Sequence, residues 1–213
     1  MNNLLIYVAF FIFAYLIGSI PNGYIITKIK LNKDIRKLGK WRNIGATNVF
    51  ASVSPLAGIT TLTLDILKGF IPVYIAKVVG INQYTILIVG ILAIIGHIFP
   101  IYIRFKGGTG MATTVGILLA LMPTEILFIG LLWGLLVVLF KKPSLMGLLA
   151  IMLLPIFAIY MNRPQSVIIA AFTISIADII MSSSSKKHIK RMIKGAEYNE
   201  LIGKLKKNKS RST

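Results

Sequence analysis

Seven apolar stretches constrain the fold of this chain more than any other feature. A helix needs about 20 predominantly apolar residues to cross a bilayer. Hydrophobic residues make up 56% of the chain and charged residues only 14%, far from the average of soluble domains. We therefore expect an all-α, polytopic membrane protein of about seven transmembrane helices with cytoplasmic glycine-rich loops. The stretches cover residues 4–26, 55–79, 84–104, 111–122, 124–140, 144–161 and 165–181.

The distribution of lysine and arginine predicts the orientation of these spans. Segment 27–54 is rich in basic residues, and the tail after Met181 carries ten more against two glutamates. Such segments lie on the cytoplasmic side of membrane proteins. Seven crossings place both segments inside, with the C-terminus cytoplasmic, whereas six would place the tail outside. The fourth stretch, 111–122, is therefore predicted to be a short or tilted span that Pro123 closes.

Charge and composition also bound the partners. The formal net charge of +18 is consistent with nucleic acid, anionic lipid headgroups or a phosphorylated substrate. For a membrane protein it favours anionic membrane lipids, and no nucleic acid is expected. We expect a membrane domain over residues 1–185 and a basic cytoplasmic tail over 186–213, which would lie on lipid headgroups as an amphipathic helix. The chain has no cysteine and two histidines, so no metal site and no cofactor are expected.

Two polar clusters in the predicted cytoplasmic loops contain the residue types of a phosphate site. In Arg42-Asn43-Ile44-Gly45-Ala46-Thr47-Asn48, small and polar residues can turn the backbone so that N–H groups face an anion. Arg104-Phe105-Lys106-Gly107-Gly108-Thr109-Gly110 places two cations and three glycines before a helix, whose N-terminus favours anions. The glycines alone are equally consistent with a tight turn and close helix packing.

Three smaller features lie within the predicted spans. Gly18-Ser19-Ile20-Pro21 predicts a kink near the end of the first span. Asp65 and Lys68 are three residues apart on the second span and could form an ion pair, and ionisable groups in a bilayer are functional candidates. His97 is expected either to hydrogen-bond to a neighbouring helix or to take part in catalysis.

Together, five motifs resemble the PlsY-type glycerol-3-phosphate acyltransferases in order and spacing, from about Leu4 to at least Gly116. The motifs are Gly18-Ser19-Ile20-Pro21-Asn22-Gly23-Tyr24, Asn43-Ile44-Gly45-Ala46-Thr47-Asn48-Val49, Asp65-Ile66-Leu67-Lys68-Gly69, Gly96-His97-Ile98-Phe99-Pro100 and Phe105-Lys106-Gly107-Gly108.

The resemblance implies a bacterial seven-helix enzyme of the cytoplasmic membrane. It would move a fatty acyl group from acyl phosphate to the 1-hydroxyl of glycerol 3-phosphate, giving lysophosphatidic acid and inorganic phosphate. The enzyme that supplies acyl phosphate would be a further partner. Lys106 would neutralise phosphate charge, and His97 would be a positioning group or proton acceptor. The substrate-binding residues would be Asn43, Gly45, Thr47, Asn48, Gly107, Gly108 and Gly110.

Several positions depart from the family pattern. The family usually has a serine at the position of Trp41, an arginine at the position of Ala51 and a second lysine at the position of Thr109. Ser184, Ser185 and His188 stand where an arginine, a histidine and an asparagine are usual. Two alternatives therefore accompany the acyltransferase: a catalytically impaired paralogue that binds lipid or a phosphorylated ligand, and a transporter of a phosphorylated solute. The transporter is motivated by the charged residues within spans and by broken helices.

Overall fold

A computed structural model describes residues 2–183, and these form ten α-helices and two short 3₁₀ helices with no strand among them. The 3₁₀ helices are Ile35–Lys37 and Ile101–Ile103. The α-helices are α1 (Asn2–Ser19), α2 (Asn22–Leu31), α3 (Ala46–Ser52), α4 (Pro55–Val78), α5 (Gln83–Ile98), α6 (Met111–Leu121), α7 (Pro123–Phe140), α8 (Pro143–Met152), α9 (Leu154–Tyr160) and α10 (Gln165–Ser183).

Four helical segments are long and apolar enough to cross a bilayer: Leu4–Leu31, Pro55–Val78, Gln83–Ile103 and Pro123–Phe140. Three shorter apolar segments accompany them, Met111–Leu121, Leu145–Tyr160 and Gln165–Ile176. The predicted all-α, multi-pass architecture is confirmed, and the seven segments agree with the expected count. The stretch 111–122 is short, as expected, because Pro123 begins the next helix. The predicted tail at 186–213, with His188, lies outside the described residues, as do Ser184 and Ser185.

The first and sixth stretches are each divided into two helices. The expected kink in the first span is a break, because α1 ends at Ser19 and α2 begins at Asn22. Pro21 has no N–H to continue the helical ladder. Helix α2 then extends to Leu31, five residues beyond the predicted end. In the sixth stretch, Leu153 separates α8 from α9, and a proline lies in the first turn of α9.

Local sequence signals fix where the central spans begin. Helix α4 has Pro55 in its first turn, and the Ser54 hydroxyl oxygen accepts a hydrogen bond from Ala57 N at 3.2 Å. Helix α5 begins after Asn82, whose side chain accepts from Tyr84 N at 2.9 Å. These caps satisfy N–H groups that a helix start leaves without an internal partner.

The chain divides after Leu121 into two compact units. In the first unit, glycines let helices pack with their backbones in contact. A Cβ added to Gly18 would overlap Ala93 of α5, and one added to Gly96 would overlap Tyr15 of α1. Gly69 of α4 packs in the same way on the Thr113 carbonyl of α6. Small residues commonly allow such close approach in membrane proteins.

The second unit contains α7 to α10. The fully buried Glu125 side chain of α7 accepts two hydrogen bonds from the Arg163 guanidinium, with Arg163 Nη2 2.9 Å from Glu125 Oε2. The Ser175 hydroxyl donates to Ile151 O at 2.9 Å and joins α10 to α8. These contacts stabilise the second unit. The domain boundary expected at residue 185 stays a prediction.

Candidate functional site

The loop before α3 is held by the side chain of Asn48. Asn48 is fully buried, and its Nδ2 donates to the carbonyl oxygens of Ile35 at 3.1 Å, Leu38 at 3.3 Å and Asn43 at 2.8 Å. The amide therefore connects three points of segment 35–43. Gly39 lies in this segment with φ +64, and a Cβ there would overlap Asn48 Oδ1 and Ser52 Oγ. The structure gives Asn48 a loop-holding role, and its predicted contact with substrate stays a prediction.

The other candidates of this cluster are more accessible. The Asn43 side chain is half-buried, and its Oδ1 accepts from Gly45 N at 3.2 Å. Thr47 is exposed in the first turn of α3. Gly45 precedes α3 with ordinary φ, and a Cβ there would contact only the Asn43 side chain, at 3.4 Å or more. Structural packing therefore does not require glycine at position 45.

Arg36, which the sequence analysis did not single out, connects this loop to the segment after α5. Its guanidinium makes a bidentate pair with Asp34, with Nη2 2.7 Å from Oδ2, and its Nη1 donates to Ile103 O at 2.9 Å. The Tyr24 ring lies 5.2 Å from the guanidinium carbon. The side-chain hydrogen bonds from Arg36 lower the pKa of the Asp34 carboxyl against the opposing effect of burial.

A small apolar core is shared by the two candidate regions. Ile35, Ile44, Val49, Ala57 and Ile103 form it, each 8% exposed or less. Because Ile103 comes from the segment after α5 and the others from segment 35–57, burial of these side chains holds the two candidate regions together.

The glycine segment 106–110 packs against the end of α5. Gly107 N donates to Ile98 O and Gly108 N to His97 O, both at 3.1 Å. A Cβ at Gly107 would overlap the His97 carbonyl oxygen, and one at Gly108 would overlap His97 Nε2. The two N–H groups expected to form an anion cradle are thus bonded to α5, and the glycines serve close packing. Whether either glycine contacts substrate stays a prediction.

Unbonded N–H groups begin one residue later. Within the described part of the chain, the backbone N–H groups from Thr109 to Thr113 have no hydrogen-bond acceptor, and the first bond of α6 runs from Thr114 N to Gly110 O at 2.8 Å. Gly110 is buried with φ +85, a conformation that glycine adopts readily. Lys106 is exposed. The structure therefore provides free N–H groups at the α6 N-terminus and an exposed cation three residues before the first of them in the chain, and both suit an anion.

His97 belongs to a buried polar network at the same end of the spans. Asp65 Oδ1 lies 3.0 Å from Lys68 Nζ, so the predicted pair forms. The same oxygen accepts a hydrogen bond from Asn22 Nδ2 at 2.9 Å. His97 Nδ1 lies 3.9 Å from Asp65 Oδ1 and has no hydrogen-bond partner among the described residues. The hydrogen bond expected between His97 and a neighbouring helix is therefore not made through Nδ1. Asn22 stands in the first of the five motifs, but its bond to Asp65 was not predicted, although a polar residue after a proline within an apolar stretch was a usable signal.

Two further features concern ions. Among the described residues, no three His, Cys, Asp or Glu side chains are placed to hold a metal ion. At the end of α2, a cavity of about 360 Å³ is lined by basic and polar side chains with a single carboxylate. Its lining residues are Lys28, Asn32, Lys33, Asp34, Lys37 and Leu38.

Comparison with known proteins gives consistent matches over most of the chain. The model of the family described as glycerol-3-phosphate acyltransferase matches residues 8–195. The glycerol-3-phosphate acyltransferase of Endomicrobium trichonymphae is 38% identical over 203 residues, which cover 95% of this chain and 100% of that protein. The Fusobacterium nucleatum protein of the same name is 36% identical over 193 residues, covering 88% and 95% of the two chains.

Two solved structures are similar in both fold and sequence. Both are crystal structures of PlsY, an integral membrane glycerol 3-phosphate acyltransferase. The glycerol 3-phosphate form has a TM-score of 0.77 and 34% identity, covering 89% of this chain and 92% of PlsY. The lysophosphatidic acid form has a TM-score of 0.76 and 32% identity, covering 92% and 98%.

Proposed function

This chain belongs to the glycerol-3-phosphate acyltransferase family, and from that premise we propose that it transfers a fatty acyl group from acyl phosphate to glycerol 3-phosphate. The observation that carries the proposal lies in the glycine segment. Its first two glycines pack on α5, and the free N–H groups of the α6 N-terminus begin three residues after the exposed Lys106 in the chain. Both substrates carry phosphate, which such a site suits. The family match favours this reaction over the transporter alternative.

The reaction needs no covalent enzyme intermediate. The 1-hydroxyl oxygen of glycerol 3-phosphate forms an ester bond with the acyl carbonyl carbon, and the bond from that carbon to the phosphate oxygen breaks. Inorganic phosphate leaves with the electron pair of the broken bond, and the hydroxyl proton is taken up by an oxygen of the departing phosphate or by His97. Since acyl phosphate already has a good leaving group, positioning and charge neutralisation supply most of the catalysis.

The roles proposed for individual residues follow their accessibility. Lys106 neutralises phosphate charge, and Gly110 with the N–H groups after it faces the phosphate oxygens. Asn43 and Thr47 remain candidates for hydrogen bonds to substrate hydroxyl or phosphate groups, because the Asn43 side chain is only half-buried and Thr47 is exposed. For Asn48, Gly45, Gly107 and Gly108, contact with substrate is part of the proposal that mutagenesis must test.

The membrane setting of the proposal is bacterial. We propose the cytoplasmic membrane, with segment 27–54 and the C-terminus in the cytoplasm, because of their excess of lysine and arginine. Anionic lipids are proposed as partners, and the lysine-lined cavity at the end of α2 supports this for the described residues. The enzyme that makes acyl phosphate is proposed as a partner on chemical grounds alone, since a labile donor benefits from direct delivery.

The choice of acyl donor tests the proposed reaction. Purified protein in lipid is given labelled glycerol 3-phosphate with palmitoyl phosphate or, separately, with palmitoyl-CoA, and lysophosphatidic acid is measured. The proposal predicts product from palmitoyl phosphate at a rate well above that from palmitoyl-CoA. Product from palmitoyl-CoA alone would contradict acyl phosphate as the donor. No product from folded protein with either donor would contradict the proposed reaction and favour the impaired paralogue.

A further inference from the structure

The network of Asn22, Asp65, Lys68 and His97 is buried and largely unused by the proposed reaction. The four residues are 7%, 1%, 4% and 3% exposed, respectively. Asn22 begins α2, Asp65 and Lys68 lie in the middle of α4, and His97 lies in the last turn of α5. Only His97 has a part in the proposed chemistry, so three buried polar groups require a separate explanation.

One end of the network fixes the helix break and the loop beside it. Lys68 Nζ donates to Ile20 O at 2.8 Å, the carbonyl in the break between α1 and α2. Asn22 is bonded to Asp65 in the first turn of α2, and the next residue, Gly23, packs so closely on Ile44 O that a Cβ would overlap it. The network therefore determines where α2 contacts the loop that carries Asn43.

The other end fixes the glycine segment. The His97 ring has its Nδ1 towards Asp65, at 3.9 Å, and its Nε2 against Gly108, where a Cβ would overlap it. The backbone of the same residue accepts the hydrogen bond from Gly108 N. Any displacement of the ring by Asp65 is therefore transmitted directly to the segment that precedes the free N–H groups of α6.

We propose that Asn22, Asp65 and Lys68 are positioning residues, which hold the loop before α3 and, through His97, the glycine segment 106–110 in one fixed relation. The proposal rests on the proposed function in taking those two segments as the substrate site. Asn22, Asp65 and Lys68 act through other residues, and none of them is assigned a contact with substrate.

Stability alone is a weak explanation for this ion pair. Removing two charges from water costs as much as their attraction returns, and buried pairs are often replaced by apolar residues of similar volume without loss of stability. Ionisable residues within membrane spans are for this reason functional candidates. Lys77 on the same helix offers a comparison. Its Nζ also donates to a backbone carbonyl, Ala120 O at 3.1 Å, and it lies nine residues after Lys68.

The test uses a double variant, Asp65→Asn with Lys68→Met, because changing one partner alone leaves a buried charge unpaired. Lys77→Met is the matched control, since it removes a lysine-to-carbonyl hydrogen bond about 13 Å along the same helix. The chain has no cysteine, so Thr109→Cys introduces a unique thiol in the exposed part of the glycine segment. Gln83→Cys places an equivalent exposed thiol at the start of α5.

The first readout is the rate at which a thiol reagent modifies each cysteine, which does not depend on enzymatic activity. We expect the double variant to change the rate at Thr109→Cys by about tenfold, the effect of one charge-assisted hydrogen bond. The rate at Gln83→Cys should not change, and Lys77→Met should change neither. Unchanged reactivity at Thr109→Cys in a double variant with a normal thermal unfolding midpoint would overturn the proposal.

The second readout is kinetic and is made without the cysteines. The double variant should raise KM for glycerol 3-phosphate by about tenfold, whereas Lys77→Met should leave KM unchanged even if it lowers the unfolding midpoint. If wild type makes no lysophosphatidic acid, the proposed function fails, while the thiol readout still decides the positioning role. If the double variant does not fold, Asn22→Ala, which removes one amide and no charge, takes its place with the same expected and contradicting results.

Discussion

At the residue scale, packing requires glycine at position 108 but not at position 45. Gly108 is packed on the His97 ring, whereas Gly45 has room for a methyl group. This difference is not visible in the sequence, where both glycines stand in polar clusters. The Asp65–Lys68 pair was predictable, because three residues along a helix bring two side chains together. The contacts of Asn48 and of His97 were not, since their partners come from turns and from loops packed on another helix.

Replacement of Gly108 by alanine should damage the site without unfolding the protein. The new Cβ overlaps His97 Nε2, so the ring or the glycine segment must move. Overpacking of this kind costs about 1–3 kcal/mol, and we expect kcat/KM to fall by about tenfold or more. Steady-state kinetics with glycerol 3-phosphate measures the effect. Gly45→Ala is the control for packing: it should leave the unfolding midpoint unchanged, so any loss of activity in that variant reports on substrate contact.

Asn48→Ala should destabilise the loop before α3. The substitution removes the donor that bonds the carbonyl oxygens of Ile35, Leu38 and Asn43. Unpaired buried acceptors cost about 1–3 kcal/mol, so the thermal unfolding midpoint in detergent should fall. Thr47→Ala, one residue earlier and exposed, should not lower it. An unchanged midpoint for Asn48→Ala would mean that the loop is held in another way.

At the scale of elements, Arg36 connects the segment before α3 to the segment after α5. Its guanidinium bonds Asp34 and Ile103 O and lies over Tyr24. The sequence shows only one basic residue among several in segment 27–54, because the partner at Ile103 is distant in the chain. The helix break at Pro21 and the starts of α4, α5 and α7 were readable from proline and capping residues, since those signals are local.

Arg36→Gln should loosen this connection in a pH-dependent way. The pKa of Asp34 is lowered mainly by its hydrogen bonds with Arg36, so the stabilisation is complete above the ordinary pKa of 3.8 and is lost as pH falls through the lowered value. For this partly exposed pair we expect about 1 kcal/mol at neutral pH. The difference between the unfolding midpoints of wild type and variant should therefore shrink below the lowered pKa to the part that comes from the Ile103 O and Tyr24 contacts of Arg36. A difference between their midpoints that stayed constant across that range would contradict the assignment.

At the scale of the whole molecule, the multi-pass helical architecture followed from hydropathy, because apolar length in a membrane protein directly sets the spans. The seven segments and the short fourth one were predictable for this reason. Of the two divided stretches, the sequence indicated a kink in the first, at Gly18-Ser19-Ile20-Pro21, and no break in the sixth. How helices pair was not predictable, since pairing in the first unit depends on backbone contacts at glycines such as Gly69 and Gly96.

The orientation of the spans can be tested with single cysteines in intact cells. Lys33→Cys is in the basic loop after α2, and Gln83→Cys is exposed at the start of α5. The positive-inside distribution predicts that a membrane-impermeant thiol reagent labels Gln83→Cys from outside and Lys33→Cys only after permeabilisation. A third variant, Thr213→Cys, should behave like Lys33→Cys. Labelling of Thr213→Cys from outside would indicate an even number of crossings.

The central claim, that the glycine segment binds the phosphate of glycerol 3-phosphate, is tested most directly by the dependence of the initial rate on glycerol 3-phosphate concentration in wild type and Lys106→Ala. Lys30→Ala, an exposed lysine of α2 outside the lining of the lysine cavity, is the control. Loss of a charge-assisted contact worth about 1.5–3 kcal/mol should lower kcat/KM by about tenfold to a hundredfold in Lys106→Ala only. Equal kinetics in Lys106→Ala and wild type would contradict the claim.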